Sequence, residues 1–308
     1  MLDILWFYPV YAALYLHTLL PLRFQMLLSG PLYFLIYRIA GYRKKTVYSN
    51  LERAFPEKTK KEIDRIAKDY YRHFCDYILE SLAATRMSEK EARLRFTYKN
   101  PEVIHALYAR KKSILLTFGH VGNWEWLNNL PLHFPYRIMA MYKPLKNRHV
   151  DRMFIRMRER FGLETIPMAT SLRAIMDHER NGVLTLTLVL IDQRPPIHQV
   201  EYWLPFLHQD TPVLLGTEKI SKKLDFAVVF MHIRKTARNC YEGEFVEITE
   251  TPAETAPREI TEATFRELEK NIREQPWSWL WSHKRWKFDR AGIAAWQTEN
   301  KKNPSDKK

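Results

Sequence analysis

A histidine five residues ahead of a glutamate is the most chemically suggestive arrangement in the chain: Gly119-His120-Val121-Gly122-Asn123-Trp124-Glu125. Imidazole takes and returns a proton near neutral pH. A carboxylate on one ring nitrogen fixes its tautomer and leaves the other nitrogen free as a general base. Within one helix a five-residue offset turns two side chains about 140° apart. The two meet only if His120 sits in a turn and a helix begins near Asn123, so that Glu125 in its first turn reaches back to the ring. Glycines on both sides permit a tight turn and close approach of a substrate. Free N–H groups at the start of such a helix would support a developing oxyanion. The alternative is a buried structural histidine, with Glu125 merely favoured by the helix dipole. A bare His-x4-Glu is common by chance and does not decide between them.

Arg158 and Arg160 form a second candidate group. A guanidinium grips a phosphate bidentately where lysine cannot, so Arg158 would bind a substrate phosphate or help stabilise a transition state. The competing reading makes Arg148, Arg152 and Arg156 a solvated stripe at four-residue spacing, continued by Arg158 and Arg160. Asp192, followed by Gln193, would position a substrate or hold an active-site arginine, or simply start a loop. Cys75 and Cys240 are too few for a disulfide framework, and Cys75, in the middle of a helix, is not expected to be a nucleophile. The eleven histidines include no HExxH and no paired-cysteine spacing, so a metal is not expected.

The elements that must carry these residues read as alternating α/β. Ser113–Phe118 is a short β-type run that delivers His120 to its carboxyl end, where open α/β sheets bind ligands. Arg137–Tyr142 is another strand. Val183–Ile191, uncharged and rich in Leu, Val and Thr, reads as a buried central strand ending at Asp192. Asp225–Ile233 and Glu244–Thr249 are further strands. Apolar residues at helical spacing mark helices over Lys58–Leu82, Asn147–Phe161 (stopped by Gly162) and about Thr261–Glu274 (ended by Pro276). The expected fold is α/β, a mostly parallel sheet covered by helices. Residues 298–308, polar and lysine-rich, read as disordered.

Ile4–Leu22 holds no Asp, Glu, Lys or Arg, and a second uncharged run covers Phe24–Tyr37. A membrane span needs about 20 apolar residues, so the first run is just long enough, though Pro9, His17 and Pro21 weaken it. It lacks the basic start and small-residue cleavage site of a signal peptide. Arg38, Arg43, Lys44 and Lys45 would keep the remainder of the chain cytoplasmic. Spanning, monotopic insertion and a buried helical hairpin all stay open.

With 308 residues, 46% hydrophobic, the chain can fill one large core or two modest ones. Nine glycines argue against a glycine-rich dinucleotide site, and the aromatic content excludes a disordered or collagen-like chain. A net charge of +14 calls for an acidic partner: nucleic acid, an anionic membrane surface or an acidic carrier protein. Trp277, Trp279, Trp281 and Trp286 lie among Lys284, Arg285 and Lys287. With Pro276 as first helical residue, Trp277, Leu280 and Trp281 would share a face. Such a cluster suits a bilayer interface or single-stranded nucleic acid, or simply a buried core. No nucleic-acid signature accompanies it.

Taken in order, several segments resemble one family. GHVGNWEW after a β-run is similar to the H-x4-(D/E) motif of the lipid A biosynthesis (late) acyltransferases, within the lysophospholipid acyltransferase superfamily. Asn50-Leu51-Glu52-Arg53-Ala54-Phe55-Pro56-Glu57 resembles the family's NL..AFP segment, and Arg158–Gly162 its Arg-rich block. Asp192-Gln193 resembles its DQ block, and Trp279–Lys287 its WLW.HRRWK ending. The similarity runs from about Leu2 to Lys287.

The resemblance implies a glycerolipid acyltransferase-like domain over 46–290, an N-terminal membrane-associated helical segment over 1–45, and a polar tail over 291–308. It implies an O-acyltransferase in which His120 deprotonates a hydroxyl of a lipid A precursor and Glu125 orients and charge-compensates that histidine. The oxygen would attack an acyl thioester directly, with acyl-carrier protein or acyl-CoA as donor and no cofactor. Arg158, Arg160, Asp192 and Gln193 would bind substrate. The resemblance also implies the bacterial inner membrane, with the catalytic domain on its cytoplasmic face. One departure is Arg194-Pro195-Pro196, where the family often has a glycine after DQ; the stiffer loop leaves the acceptor open. The same chemistry on a lysophospholipid or aminolipid, or a non-catalytic membrane scaffold, are the alternatives.

Overall fold

A computed structural model describes residues 16–145 and 147–302. Seven strands form the central sheet: β1 (Phe96–Tyr98), β2 (Ile114–Phe118), β3 (Arg137–Tyr142), β4 (Glu164–Pro167), β5 (Thr185–Leu190), β8 (Ala227–Ala237) and β9 (Cys240–Thr249). Their order is β1-β9-β8-β2-β5-β3-β4, and every neighbouring pair is parallel except β8–β9. The strands β6 (Tyr202–Phe206) and β7 (Gln209–Val213) make a separate antiparallel hairpin. All five residues of β2 are buried, which is why this strand shows no polar alternation in sequence. The expected mostly parallel α/β sheet is what the chain forms.

The helices that cover it are α1 (Lys44–Ala54), α2 (Lys60–Ala83), α3 (Glu89–Arg95), α4 (Glu102–Ala109), α5 (Arg148–Arg158), α6 (Ser171–Arg180), α7 (Gly216–Leu224), α8 (Glu259–Glu274) and α9 (Arg290–Lys302). Helix α2 starts at a capping box. Thr59 accepts from the Glu62 N–H while the Glu62 carboxylate accepts from the Thr59 N–H at 2.8 Å. Its apolar stripe, including Ile63, Ala67, Tyr70 and Leu79, is buried. Gly162, at φ +94°, ends the α5 region as the sequence predicts, because a left-handed residue closes the last turn.

Three expectations need correction or restriction. Residues 290–302 are helical rather than disordered: Asp289 accepts from the Gly292 N–H at 2.7 Å, Ile293 is buried, and Arg290 pairs with Asp210. That anchoring is tertiary and invisible in a polar tail; residues 303–308 lie outside the described residues. Pro276–Ser278 is only a single 3₁₀ turn, and Trp279 is extended, so no helical Trp face forms. Trp279 and Trp281 are core residues at 2% and 0% exposure, not a bilayer girdle. Most of the Ile4–Leu22 run lies outside the described residues. From Leu22 to Ile39 the chain forms consecutive short helical turns, and among the described residues no helix is long and apolar enough to cross a membrane.

Candidate active site

Strands β2 and β5 lie side by side in parallel, with Phe118 opposite Leu190. Two residues beyond that pair on each strand stand His120 and Asp192, so the register alone sets them face to face at the carboxyl end of the sheet. His120 Nδ1 and Asp192 Oδ1 are 2.7 Å apart, and the His120 backbone N–H donates to Asp192 Oδ2 at 2.8 Å. Trp279 Nε1–H donates to the same Oδ2 at 2.6 Å. Burial alone would raise the Asp192 carboxyl, but the adjacent His120 ring and these donors hold it down to about 2. An ionised Asp192 keeps the proton on Nδ1 and leaves Nε2 as the basic nitrogen.

The turn bearing His120 is built to tolerate no side chain beside it. A Cβ on Gly119 would stand 2.4 Å from Leu268 Cδ1 and 3.2 Å from Asp192 Oδ2. Gly122 has φ +61°, and a Cβ there would meet Ile233 Cγ2 at 2.8 Å. The segment after Pro276 clamps the turn: the Leu280 N–H donates to the His120 carbonyl at 3.1 Å and the Gly122 N–H to the Ser278 carbonyl at 3.0 Å. From below, His73 Nε2–H donates to the Gly122 carbonyl at 3.2 Å. The Trp124 indole lies edge-on to the His120 ring at 4.8 Å and stacks on Tyr77 at 4.3 Å.

Glu125, 6% exposed, opens a 3₁₀ helix over Trp124–Leu132. Its carboxylate is taken by Arg158, whose Nε donates to Oε2 at 2.8 Å and Nη2 to Oε1 at 2.6 Å. Burial works against the charge of Arg158, but the Glu125 carboxylate outweighs it and raises the guanidinium pKa. His120, Glu125 and Arg158 all line a cavity of about 730 Å³. Most of the remaining wall is apolar, including Phe118, Leu188, Leu190, Ile220 and Phe265. Cys75 is fully buried, which pushes its thiol up to about 12 and removes it as a nucleophile.

The profile of the bacterial lipid A biosynthesis acyltransferases matches residues 1–288. The chain belongs to that family. Among curated proteins, no relative matches. As a bacterial lipid A biosynthesis acyltransferase, the protein is an enzyme that transfers acyl groups in the making of a lipid A-type glycolipid.

Within this acyltransferase the expected partnership is redrawn. The carboxylate on the His120 ring belongs to Asp192, and Glu125 serves Arg158 instead. Glu125 points to a residue at the end of α5 because the 3₁₀ helix packs on that end, where Asn128 also donates to the Met157 carbonyl at 2.9 Å. Gln193 lines the cavity and is exposed. Arg160 is elsewhere: its Nε donates to the Met87 carbonyl at 2.8 Å and its Nη1 to the Thr85 carbonyl at 3.2 Å. It ties two loops together instead of facing the cavity.

Trp279 and His283 escaped functional notice in the sequence. In the sequence Trp279 was part of an aromatic cluster and of a family-like ending with no role attached, whereas it holds Asp192. His283 accepts from the Arg194 N–H at Nε2 (3.4 Å), and burial lowers its pKa to about 4. With Arg194 Nη1 donating to the Lys284 carbonyl at 3.3 Å, the Arg194-Pro195-Pro196 loop is pinned to the C-terminal segment.

Proposed function

We propose that this acyltransferase moves a fatty acyl chain from a thioester on an acyl-carrier protein to a hydroxyl of a lipid A precursor, with His120 as general base. The observation that carries the reading is His120, held from behind by Asp192, in the wall of a mainly apolar cavity large enough for an extended ligand. Nδ1 is committed to Asp192, so Nε2 receives the hydroxyl proton of the acceptor. The acceptor oxygen bonds to the thioester carbonyl carbon, the C–S bond breaks, and the imidazolium returns its proton to the departing thiolate. Asp192 stabilises the imidazolium in between.

Glu125 supports this chemistry through Arg158. Two nitrogens of the guanidinium are tied to the carboxylate, which sets its plane and leaves Nη1 for the carbonyl oxyanion or an acceptor phosphate. Gln193 lies beside Asp192 to bind the acceptor. The exposed apolar side chains of residues 16–39, flanked by Arg23, Arg38 and Arg43, support attachment to the cytoplasmic face of the inner membrane.

The test is mass spectrometry of total lipids from source cells with and without the gene, complemented by the wild type or His120→Ala. Lipid A lighter by one acyl group, restored only by the wild type, is the expected result. Unaltered lipid A with another lipid short of an ester would move the reading to a different acceptor. No lipid change at all would overturn it.

A further inference from the structure

Helix α5 carries two neighbouring faces of different character. One contributes Asp151, Phe154, Ile155 and Arg158 to the cavity wall. The other repeats Arg148, Arg152 and Arg156 at four-residue intervals, the spacing that stacks side chains in a row. All three are exposed, and none makes an ion pair or hydrogen bond within the described residues. The nearby acids are already engaged: Asp151 accepts from the Leu145 N–H at 2.8 Å, and Glu159 is taken by Thr165. Some other surface arginines are paired with acids, as Arg110 is with Glu250 and Arg234 with Glu274. An unneutralised row of three guanidinium groups beside the cavity is therefore a strong local positive field.

The rim adds a modest apolar contact. Leu145, Met168 and Leu214 line the cavity and are 46%, 57% and 44% exposed, and Lys143 stands exposed among them. We infer that the Arg148–Arg152–Arg156 row is the docking surface for an acidic carrier protein, which seats there and passes its thioester-linked chain over the rim into the cavity. The inference rests on the thioester reading above and names the surface that reading lacks.

The composition of the row favours a protein over a bilayer. Residues 16–39 lead with exposed apolar groups such as Leu27 (71%), Phe34 (58%) and Ile39 (67%), as an inserting surface must. On α5 the exposed residues are Arg148, His149, Arg152 and Arg156, and each apolar side chain is at least partly turned inward. Charge with a small apolar rim matches a soluble acidic surface, whose association such a field would steer.

The test uses the full chain and an Arg148→Gln/Arg152→Gln/Arg156→Gln variant, with folding checked by thermal melting. With an acylated carrier protein as donor, KM should rise about tenfold or more and lose most of its salt dependence. With the same chain on pantetheine alone, turnover should change less than about twofold, since the row does not touch the small donor. An unchanged carrier KM overturns the inference, as does an equal loss with both donors. Cosedimentation with phosphatidylglycerol vesicles separates the other occupant: lost vesicle binding with an intact carrier KM would make the row a lipid contact and also overturn it. If the wild type uses neither donor, the thioester reading fails by itself. Fluorescence anisotropy of labelled carrier protein then still tests the surface, since binding by the wild type and not by the variant sustains it, and no binding by either refutes it.

Discussion

His120 and Asp192 act as one unit, because a single carboxylate holds both the ring and the backbone of the histidine. Replacing His120 with Ala should lower kcat by roughly 10²–10⁴ while near-UV circular dichroism stays native. Asp192→Asn should cost a comparable factor, again roughly 10²–10⁴, because an amide no longer fixes the ring's tautomer or stabilises the imidazolium. Glu125→Ala should also inactivate without unfolding, by a different route: Arg158 loses the partner that sets its plane. Turnover unchanged in a steady-state assay of Glu125→Ala would remove that pair from the mechanism. The two carboxylates are thus separable by experiment. Loss at Asp192 should distort the pH profile of kcat, and loss at Glu125 should chiefly raise KM or lower kcat at every pH.

Helix α2 is the element on which the site rests. Its Glu80 is fully buried and accepts from Asn123 Nδ2 at 2.9 Å, Asn239 Nδ2 at 2.8 Å and Tyr241 OH at 2.7 Å. The Asn123 bond reaches directly into the turn between His120 and Glu125. Glu80→Leu would orphan three buried donors and should cost roughly 3 kcal/mol in urea denaturation. Nearly two turns earlier, His73 is buried beneath Gly122, and desolvation, helped by Lys235, lowers its pKa to about 3. The unfolded chain takes up this proton near pH 6.5 and the folded chain does not until about pH 3. Stability is therefore full above about pH 6.5 and declines as pH falls, by up to ~1.4 kcal/mol per unit. His73→Gln keeps a donor for the Gly122 carbonyl but cannot titrate, so urea midpoints between pH 7.5 and 5 should flatten. A slope identical to the wild type would assign the acid loss to other groups.

Across the whole molecule, an apolar segment and a strong positive charge occupy the same chain. Among described residues, Leu16, Leu19, Leu20, Phe24, Leu27 and Leu28 are all at least 44% exposed, too much apolar surface to leave in water without a partner. Beyond this region, a row of aromatic side chains runs from Tyr42 to the site: Tyr42 stacks on Phe74, Phe74 on Tyr77, Tyr77 on Trp124, and Trp124 meets His120. In the proposed reaction, this row of rings would lie on the path of a lipid acceptor from a bilayer surface toward His120. Leu27→Ser/Phe34→Ser/Ile39→Ser should lose most binding to anionic vesicles in a sedimentation assay. Binding equal to the wild type would place membrane attachment elsewhere in the chain.

Local sequence was enough for most of the longer strands and helices and for the mostly parallel sheet. Those come from periodicity and from the uncharged runs that become buried strands. The ordered motifs also pointed to the family. Which carboxylate meets which base came from the fold alone. His120 and Glu125 are five residues apart and invited pairing, yet Asp192, seventy-two residues away, is brought opposite His120 by the register of β2 on β5. Sequence spacing cannot report a parallel register, because the intervening crossover hides it. The same limit explains Trp279, Arg160 and α9. Trp279 became a hydrogen-bond donor to the site, Arg160 a tie between loops, and a polar tail a helix, each through partners far away in the chain.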